Sequence, residues 1–242
     1  MLSPGVYPAA VTPFDSEGRI DALSMARLLA FFQAAGCQGA VVAGTNGEGP
    51  SLSAPDKRDL LRDAVKAKGQ LKILLGIASS SLDEAVWLAK QAEKAGADGL
   101  LVMPPSYFRE ADEPRIIQWY DALFEASGLP TLAYHFPQRT GIPLTPKMIE
   151  SWHRHENFAG IKDSSGDPAN LSLFKAPLRF VGDETLLPQA IEAGWSGSIS
   201  GLSNVIPQWI VRIVRDQAAL LEWLAVMKTL RSLSQPATHK AV

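Results

Sequence analysis

The sequence predicts a (β/α)8 barrel, and three observations carry the prediction. Eight short apolar runs recur along the chain, each followed by a stretch with apolar residues at helical spacing. The runs are continuously apolar rather than alternating, as expected of parallel strands covered on both faces. The chain has 242 residues, close to the length of about 250 typical of one such barrel. A doubly wound open sheet would show the same alternation, but its first unit would carry a glycine-rich phosphate-binding turn. Here the first loop reads Thr12-Pro13-Phe14-Asp15.

The elements follow in order. Residues 6–11 read as the first strand, and Asp21 caps a helix that carries Leu23, Leu28, Leu29 and Phe32 to Gly36. Residues 39–43 are the second strand and 44–50 a loop. Ser53, with Pro55 and Asp56, opens a helix that stops at Gly69. Residues 72–77 are the third strand. Ser81 and Glu84 have capping-box spacing and start a helix ending near Gly96. Residues 99–103 are the fourth strand, followed by a long loop over 104–113 and a helix with Ile116, Ile117, Tyr120, Leu123 and Phe124. Residues 131–135 are the fifth strand, with a loop through Arg139, and Thr145-Pro146 caps a helix to about His153. Residues 158–162 are the sixth strand, and Asp167-Pro168 opens a short helix to Ala176. Strands at 179–181 and 197–200, helices at 185–193 and from Pro207, complete the series. The expected division is a barrel over 1–205, then 206–242 as the last barrel helix and a shortened C-terminal helical extension. Residues 206–214 and 220–230 are helical by spacing, and Ser234-Gln235-Pro236 breaks the pattern.

Composition narrows the function classes. The chain is 46% hydrophobic and 20% charged, with a formal net charge of −2 and both signs interspersed, so no basic stripe points to nucleic acid. No apolar run is long enough to span a bilayer, and no basic start leads into an apolar signal core; a cytoplasmic protein is expected. The single Cys37 excludes an internal disulfide framework and a multi-cysteine metal site. Its surroundings read as those of a packed core thiol.

In such a barrel the chemistry sits at the carboxyl ends of the strands. That rule selects Gly44-Thr45-Asn46-Gly47-Glu48 after strand two, Tyr107 after strand four, Tyr134 and Arg139 on and after strand five, Lys162 on strand six, and Gly197-Ser198-Ile199-Ser200-Gly201 on strand eight. Each has a plain structural reading as well. A lysine at a strand end can snorkel to the surface, a tyrosine can belong to the core, glycines can make a tight turn, Arg139 can be solvated, and Glu48 can bond to backbone amides. Their joint placement at one barrel mouth is what points to a site, because all five ends face the same side.

Gly44-Thr45-Asn46-Gly47-Glu48, Tyr134-His135-Phe136-Pro137-Gln138-Arg139-Thr140-Gly141 and Gly160-Ile161-Lys162-Asp163 together resemble the signatures of the dihydrodipicolinate synthase and N-acetylneuraminate lyase family. The resemblance runs from Val6 to about Pro207, with the motifs in order on the expected strands. It implies a pyruvate-dependent class I aldolase on a (β/α)8 barrel. Lys162 would form a Schiff base with pyruvate, so no metal or organic cofactor is implied. Tyr134 would shuttle protons, with Thr45 and Tyr107 extending the relay and Tyr107 reaching in from a neighbouring subunit of a dimer or tetramer. The turn of Gly44, Thr45, Asn46 and Gly47 would hold the pyruvate carboxylate, Ile199 would line the substrate pocket, and Arg139 would bind the carboxylate of the second substrate, an aldehyde. The synthase branch condenses pyruvate with aspartate semialdehyde, a step of lysine biosynthesis, and Arg139 favours that branch.

Some positions differ from the synthase pattern. Asn46 stands where the synthases usually have a second threonine, Ser106 where they often have tyrosine, and His135 where they often have asparagine. The run over 44–53 also resembles the 2-keto-3-deoxy sugar acid aldolases of the same family. Sugar acid aldolase and N-acetylneuraminate lyase activities therefore remain alternatives. Further alternatives are a barrel that binds a phosphorylated sugar through 197–201, and a keto-acid-binding paralogue without turnover.

Overall fold

The computed structural model describes residues 1–216; the helix expected over 220–230 and the break at Ser234-Gln235-Pro236 lie outside the described residues. The strands are β1 (Gly5–Pro8), β2 (Gly39–Val42), β3 (Lys72–Ile77), β4 (Gly99–Val102), β5 (Thr131–His135), β6 (Phe158–Asp163), β7 (Leu178–Val181) and β8 (Gly197–Ser200). They form one eight-stranded sheet in the order β1-β8-β7-β6-β5-β4-β3-β2, with every ladder parallel. The seam between β1 and β2 is drawn together by the parallel bridge of Ala9 with Val41. There the Ala10 amide donates to the Val41 carbonyl at 2.9 Å. The result is a TIM barrel.

Strand residues point alternately to the two faces of a sheet, and here that splits the core in two. Tyr7, Val41, Leu74, Leu132, Phe180 and Ile199 pack against one another inside the barrel. Val6, Val42, Leu75, Ala133 and Val181, each next to one of these in the chain, and Ile161, next to Lys162, face outward into the layer shared with the helices. Both faces are buried, which is why the strands read as unbroken apolar runs.

The helices are α1 (Ala22–Ala34), α2 (Ala54–Ala67), α3 (Leu82–Ala95), α4 (Glu113–Ala126), α5 (Pro137–Thr140), α6 (Pro146–Trp152), α7 (Asn170–Leu173), α8 (Leu187–Glu192) and α9 (Pro207–Arg215). The caps expected from sequence are in place. The side chains of Asp21, Ser53, Ser81 and Thr145 accept from amides in their first turns, each contributing about 1 kcal/mol. Gly96 ends α3 at φ 78°. Cys37 is a buried thiol whose pKa burial pushes up to about 12, so it stays protonated and unreactive.

Several boundaries differ from expectation. The loop through Arg139 contains the one-turn helix α5, opened by Pro137. The helix expected from Asp167 to Ala176 shrinks to α7, because Asp167 caps the Ala169 amide at 2.9 Å and the chain turns extended at Phe174. The helix expected over 185–193 opens as a 3-10 turn, Glu184–Leu186, capped by Asp183 rather than starting at Thr185. The long loop after β4 ends at Asp112, which accepts from the Arg115 amide and caps α4.

Candidate active site

Lys162 and Tyr134 are register partners on β6 and β5. Both point into the barrel, and both are buried, at 4% and 3% exposure. The Lys162 Nζ lies 4.1 Å from the centroid of the Tyr134 ring, over its electron-rich face. The lysine has room because Gly182, just past β7, has no side chain. A Cβ there would stand 1.9 Å from Ser164 Oγ and 2.8 Å from Lys162 Cε.

The turn after β2 is bracketed by Ala43 and Glu48, at φ 53° and 56°, the only non-glycine residues at positive φ among those described. Such backbone is strained by about 1–3 kcal/mol per residue and persists where surrounding contacts hold it. Thr12 supplies one such contact, donating from Oγ1 to the Gly47 carbonyl at 2.6 Å. The Glu48 and Gly49 amides bond back to Thr45 and Gly44 at 3.1 and 2.9 Å. The Thr45 hydroxyl is buried without a hydrogen-bond partner. A buried hydroxyl left unpaired costs about 1–3 kcal/mol, a cost that a polar ligand can relieve.

Thr45, Asn46, Tyr134, Lys162 and Ile199 line one cavity of about 340 Å3. A second chamber of about 290 Å3 shares Thr45 with it and is lined by Pro50, Ala78, Met103, Pro104, Ser106 and Arg139. Arg139 is the only charged residue of that lining, carried there by α5. Gly44 and Gly47 shape the turn through their backbone and line neither chamber.

Tyr107 does not join the others. It is 77% exposed and packs edge-to-face on the exposed Phe108 ring at 5.1 Å. The loop after β4 swings outward, with the Ser106 and Tyr107 amides held on Ser80 Oγ at 3.3 Å. Within one chain the ends of strands two, five, six and eight share the cavity, while Tyr107, expected to reach a neighbouring subunit, stands on the surface.

Ser200, from the strand-eight candidates, also lines the first cavity, and the structure adds three residues that the sequence did not single out, Ser164, Asp183 and Glu184. Asp183 and Glu184 follow β7, a strand end to which the same rule applied. Glu184 is buried, burial pushes its carboxyl up from the ordinary carboxylate range, and the Leu202 amide, donating to Oε1 at 2.8 Å, pulls the other way. Among the described residues, no group of three His, Cys, Asp or Glu side chains is arranged to hold a metal ion. No described helix is long and apolar enough to cross a membrane.

Comparison with known proteins follows the same lines. The model of the dihydrodipicolinate synthetase family matches residues 2–231. A DapA-like lyase from Chloroflexus aurantiacus is 34% identical, the alignment covering 88% of this chain and 74% of the relative. A 4-hydroxy-tetrahydrodipicolinate synthase from Persephonella marina is also 34% identical, over 87% of this chain and 74% of the relative. Among solved structures, a prophage protein of the dihydrodipicolinic acid synthase family from E. coli K12, in complex with pyruvate, superposes with a TM-score of 0.86 at 26% identity. That match covers 95% of this chain and 81% of the other.

Proposed function

Because the chain belongs to the dihydrodipicolinate synthetase family, whose members are pyruvate-dependent lyases, we propose that Lys162 forms a Schiff base with pyruvate and that the enamine then condenses with an aldehyde. The observation that carries this is the buried Lys162 amine 4.1 Å from the Tyr134 ring, in the same cavity as the unpartnered Thr45 hydroxyl. Lys162 Nζ, in its neutral form, attacks the ketone carbon. Loss of water leaves an iminium, which draws electrons from the neighbouring methyl and makes it acidic. A methyl proton departs, the enamine carbon attacks the aldehyde carbonyl, and the new alkoxide takes a proton. Water then releases the lysine. The same steps reversed cleave a 2-keto acid. Tyr134 carries protons at these stages, the 44–47 turn and Thr45 hold the pyruvate carboxylate, and Ile199 packs against the substrate. The reaction as drawn uses no metal or organic cofactor. Borohydride reduction with pyruvate, followed by mass spectrometry of peptides, tests the assignment. A folded protein that traps nothing at Lys162 would refute it.

For the aldehyde, we favour aspartate semialdehyde, the 4-hydroxy-tetrahydrodipicolinate synthase reaction. Arg139 supports this, being the lone charge in the chamber that adjoins Thr45 and a planar fork suited to a carboxylate. Arg139→Ala should raise the KM for a carboxylate-bearing aldehyde about ten- to hundredfold, as expected for losing a hydrogen-bonded charge. It should leave pyruvate trapping within about twofold, read by steady-state kinetics beside the trapping assay. A second reading has its own support. Asp183, Glu184, Ser164 and Ser200 on the first cavity wall suit an acceptor rich in hydroxyls, as in 2-keto-3-deoxy sugar acid aldolases or N-acetylneuraminate lyase. A panel of aspartate semialdehyde, short hydroxyaldehydes and N-acetylmannosamine separates the two by relative kcat/KM.

Tyr107 fits the proposal as a group donated to a neighbouring copy in a homo-oligomer; its 77% exposure beside Phe108 supports that placement. Mixing Tyr107→Phe with Lys162→Ala, each impaired alone, should give activity above the sum of the two. A mixed pair then holds one site with both groups intact. Strictly additive activity after subunit exchange would sink the idea.

A further inference from the structure

We infer that His135 is a positioning residue: its neutral imidazole, set between the Leu144 amide and the Asp163 carboxylate, holds the ends of β5 and β6 so that Lys162 meets Tyr134. The inference rests on Lys162 as the Schiff-base lysine. Along both strands the side chains alternate in direction, so the residues after the inward pair Tyr134 and Lys162 face outward together. Those residues, His135 and Asp163, are themselves register partners, at 4% and 3% exposure.

The ring's protonation follows from its neighbours. The Leu144 amide donates to Nδ1 at 3.0 Å. A peptide N–H is always a donor, so Nδ1 is bare and the ring proton sits on Nε2. Nε2 in turn lies 4.0 Å from Asp163 Oδ1. The edge of the Phe174 ring closes the third side at 5.1 Å. Through its backbone, His135 also accepts the Ser164 amide at 2.9 Å. Asp163 Oδ1 also accepts from the Ser165 amide at 2.8 Å, and its Oδ2 from Asn170 Nδ2 at 3.0 Å. The His135 side chain thus accepts a hydrogen bond from the loop that follows Arg139 and stands beside the carboxylate at the end of β6, while its backbone carbonyl ties β5 to Ser164.

A proton on Nδ1 would set donor against donor at Leu144 and break this joint. Burial opposes that proton, keeping the His135 pKa below the usual imidazole value, while the carboxylates of Asp163 and Asp167 pull the other way. Asp163 is the charge facing the ring from β6 and Asp167 the one from the loop after it. Phe174, just past α7, presents its uncharged ring, and the segment before α6 presents the Leu144 amide. The unfolded chain takes up this proton near pH 6.5, the folded chain only at lower pH. The stability tied to the neutral ring is therefore undiminished above about 6.5, and it falls as the pH drops below that.

The test uses the full chain, the wild type beside His135→Asn and His135→Ala. The asparagine oxygen falls near the place of Nδ1, so it still accepts from Leu144 and does not titrate. Nitrogen-15 NMR of the histidine rings should show His135 as the Nε2–H tautomer at pH 7, taking up its proton only below the pH at which a free imidazole does. In pyruvate trapping by borohydride, His135→Ala should slow the rate about tenfold at pH 8, with half-saturating pyruvate changed less than about twofold. His135→Asn should recover to within about threefold, and its rate relative to wild type should climb as the pH falls from 7 to 5. An Nδ1–H tautomer or an imidazolium at pH 7 overturns the inference, as do parallel pH profiles for wild type and His135→Asn. If His135→Ala does not fold, the asparagine variant and the NMR decide alone. Absence of trapping in the wild type would instead refute the Schiff-base reading, and the tautomer would still be read directly.

Discussion

Lys162→Ala is expected to give a folded protein with no borohydride-trapped pyruvate adduct and a turnover at least ~10^3-fold lower, about 4 kcal/mol of barrier. The lysine amine is the electrophile-binding atom of the proposed cycle, and nothing in its cavity replaces it. Folding should survive, because removing a buried amine also removes the penalty of desolvating it, and its alkyl stem leaves only a cavity that already holds space. Lys162→Arg should be equally inactive in trapping, since a guanidinium keeps its proton and is no nucleophile. The control is built into the chain. Lys57 is also buried, but it sits between α2 and α3 and pairs with Glu84 at 3.4 Å, outside the barrel. An adduct that persisted in Lys162→Ala would move the chemistry away from the strand ends altogether.

Tyr134→Phe should lower kcat by about 10^2- to 10^3-fold, the range for removing a positioned proton carrier. Half-saturation by pyruvate should change much less. The substitution keeps the ring beneath Lys162 Nζ and its stacking on Phe136 at 5.8 Å, so it deletes the phenol and little else. Thermal stability should therefore stay within about 1 kcal/mol of wild type. Steady-state kinetics together with a melting curve checks both parts. Undiminished kcat would mean that another group moves the protons, and buried Glu184 on the same cavity wall would be the residue to substitute next.

Much of this site is legible in the chain, and the exceptions are physical rather than accidental. Lys162, Tyr134 and Thr45 are found by one rule, that barrel strands deliver their chemistry at their carboxyl ends, and the cavity unites them. The same rule does not say where Tyr107 ends up, because a strand end fixes where a loop leaves, not where the excursion between β4 and α4 goes; here it goes outward. Gly182 carries no signal of its own. Its role exists only because β7 lies beside β6, so that Ser164 and Lys162 fill the space a side chain would take. Asp183 and Glu184 lie just before the helix expected from Thr185, and Asp183 caps its opening turn. Glu184 is buried where it accepts from the Leu202 amide, just past the adjoining strand β8, a partner far away in the chain.

The sequence by itself determined the alternation of eight strands and helices, the caps at Asp21, Ser53, Ser81 and Thr145, and the identity of the central lysine and tyrosine. These are local matters: period, capping chemistry and strand-end position act within a few residues of one another. The tertiary structure alone decided which strand ends share a cavity, that Arg139 opens onto an adjoining chamber, and that His135 and Asp163 lie behind Tyr134 and Lys162 on the outer face of the sheet. Those outcomes depend on parallel register between strands tens of residues apart, and register is set by packing the whole closed sheet rather than by any segment of it.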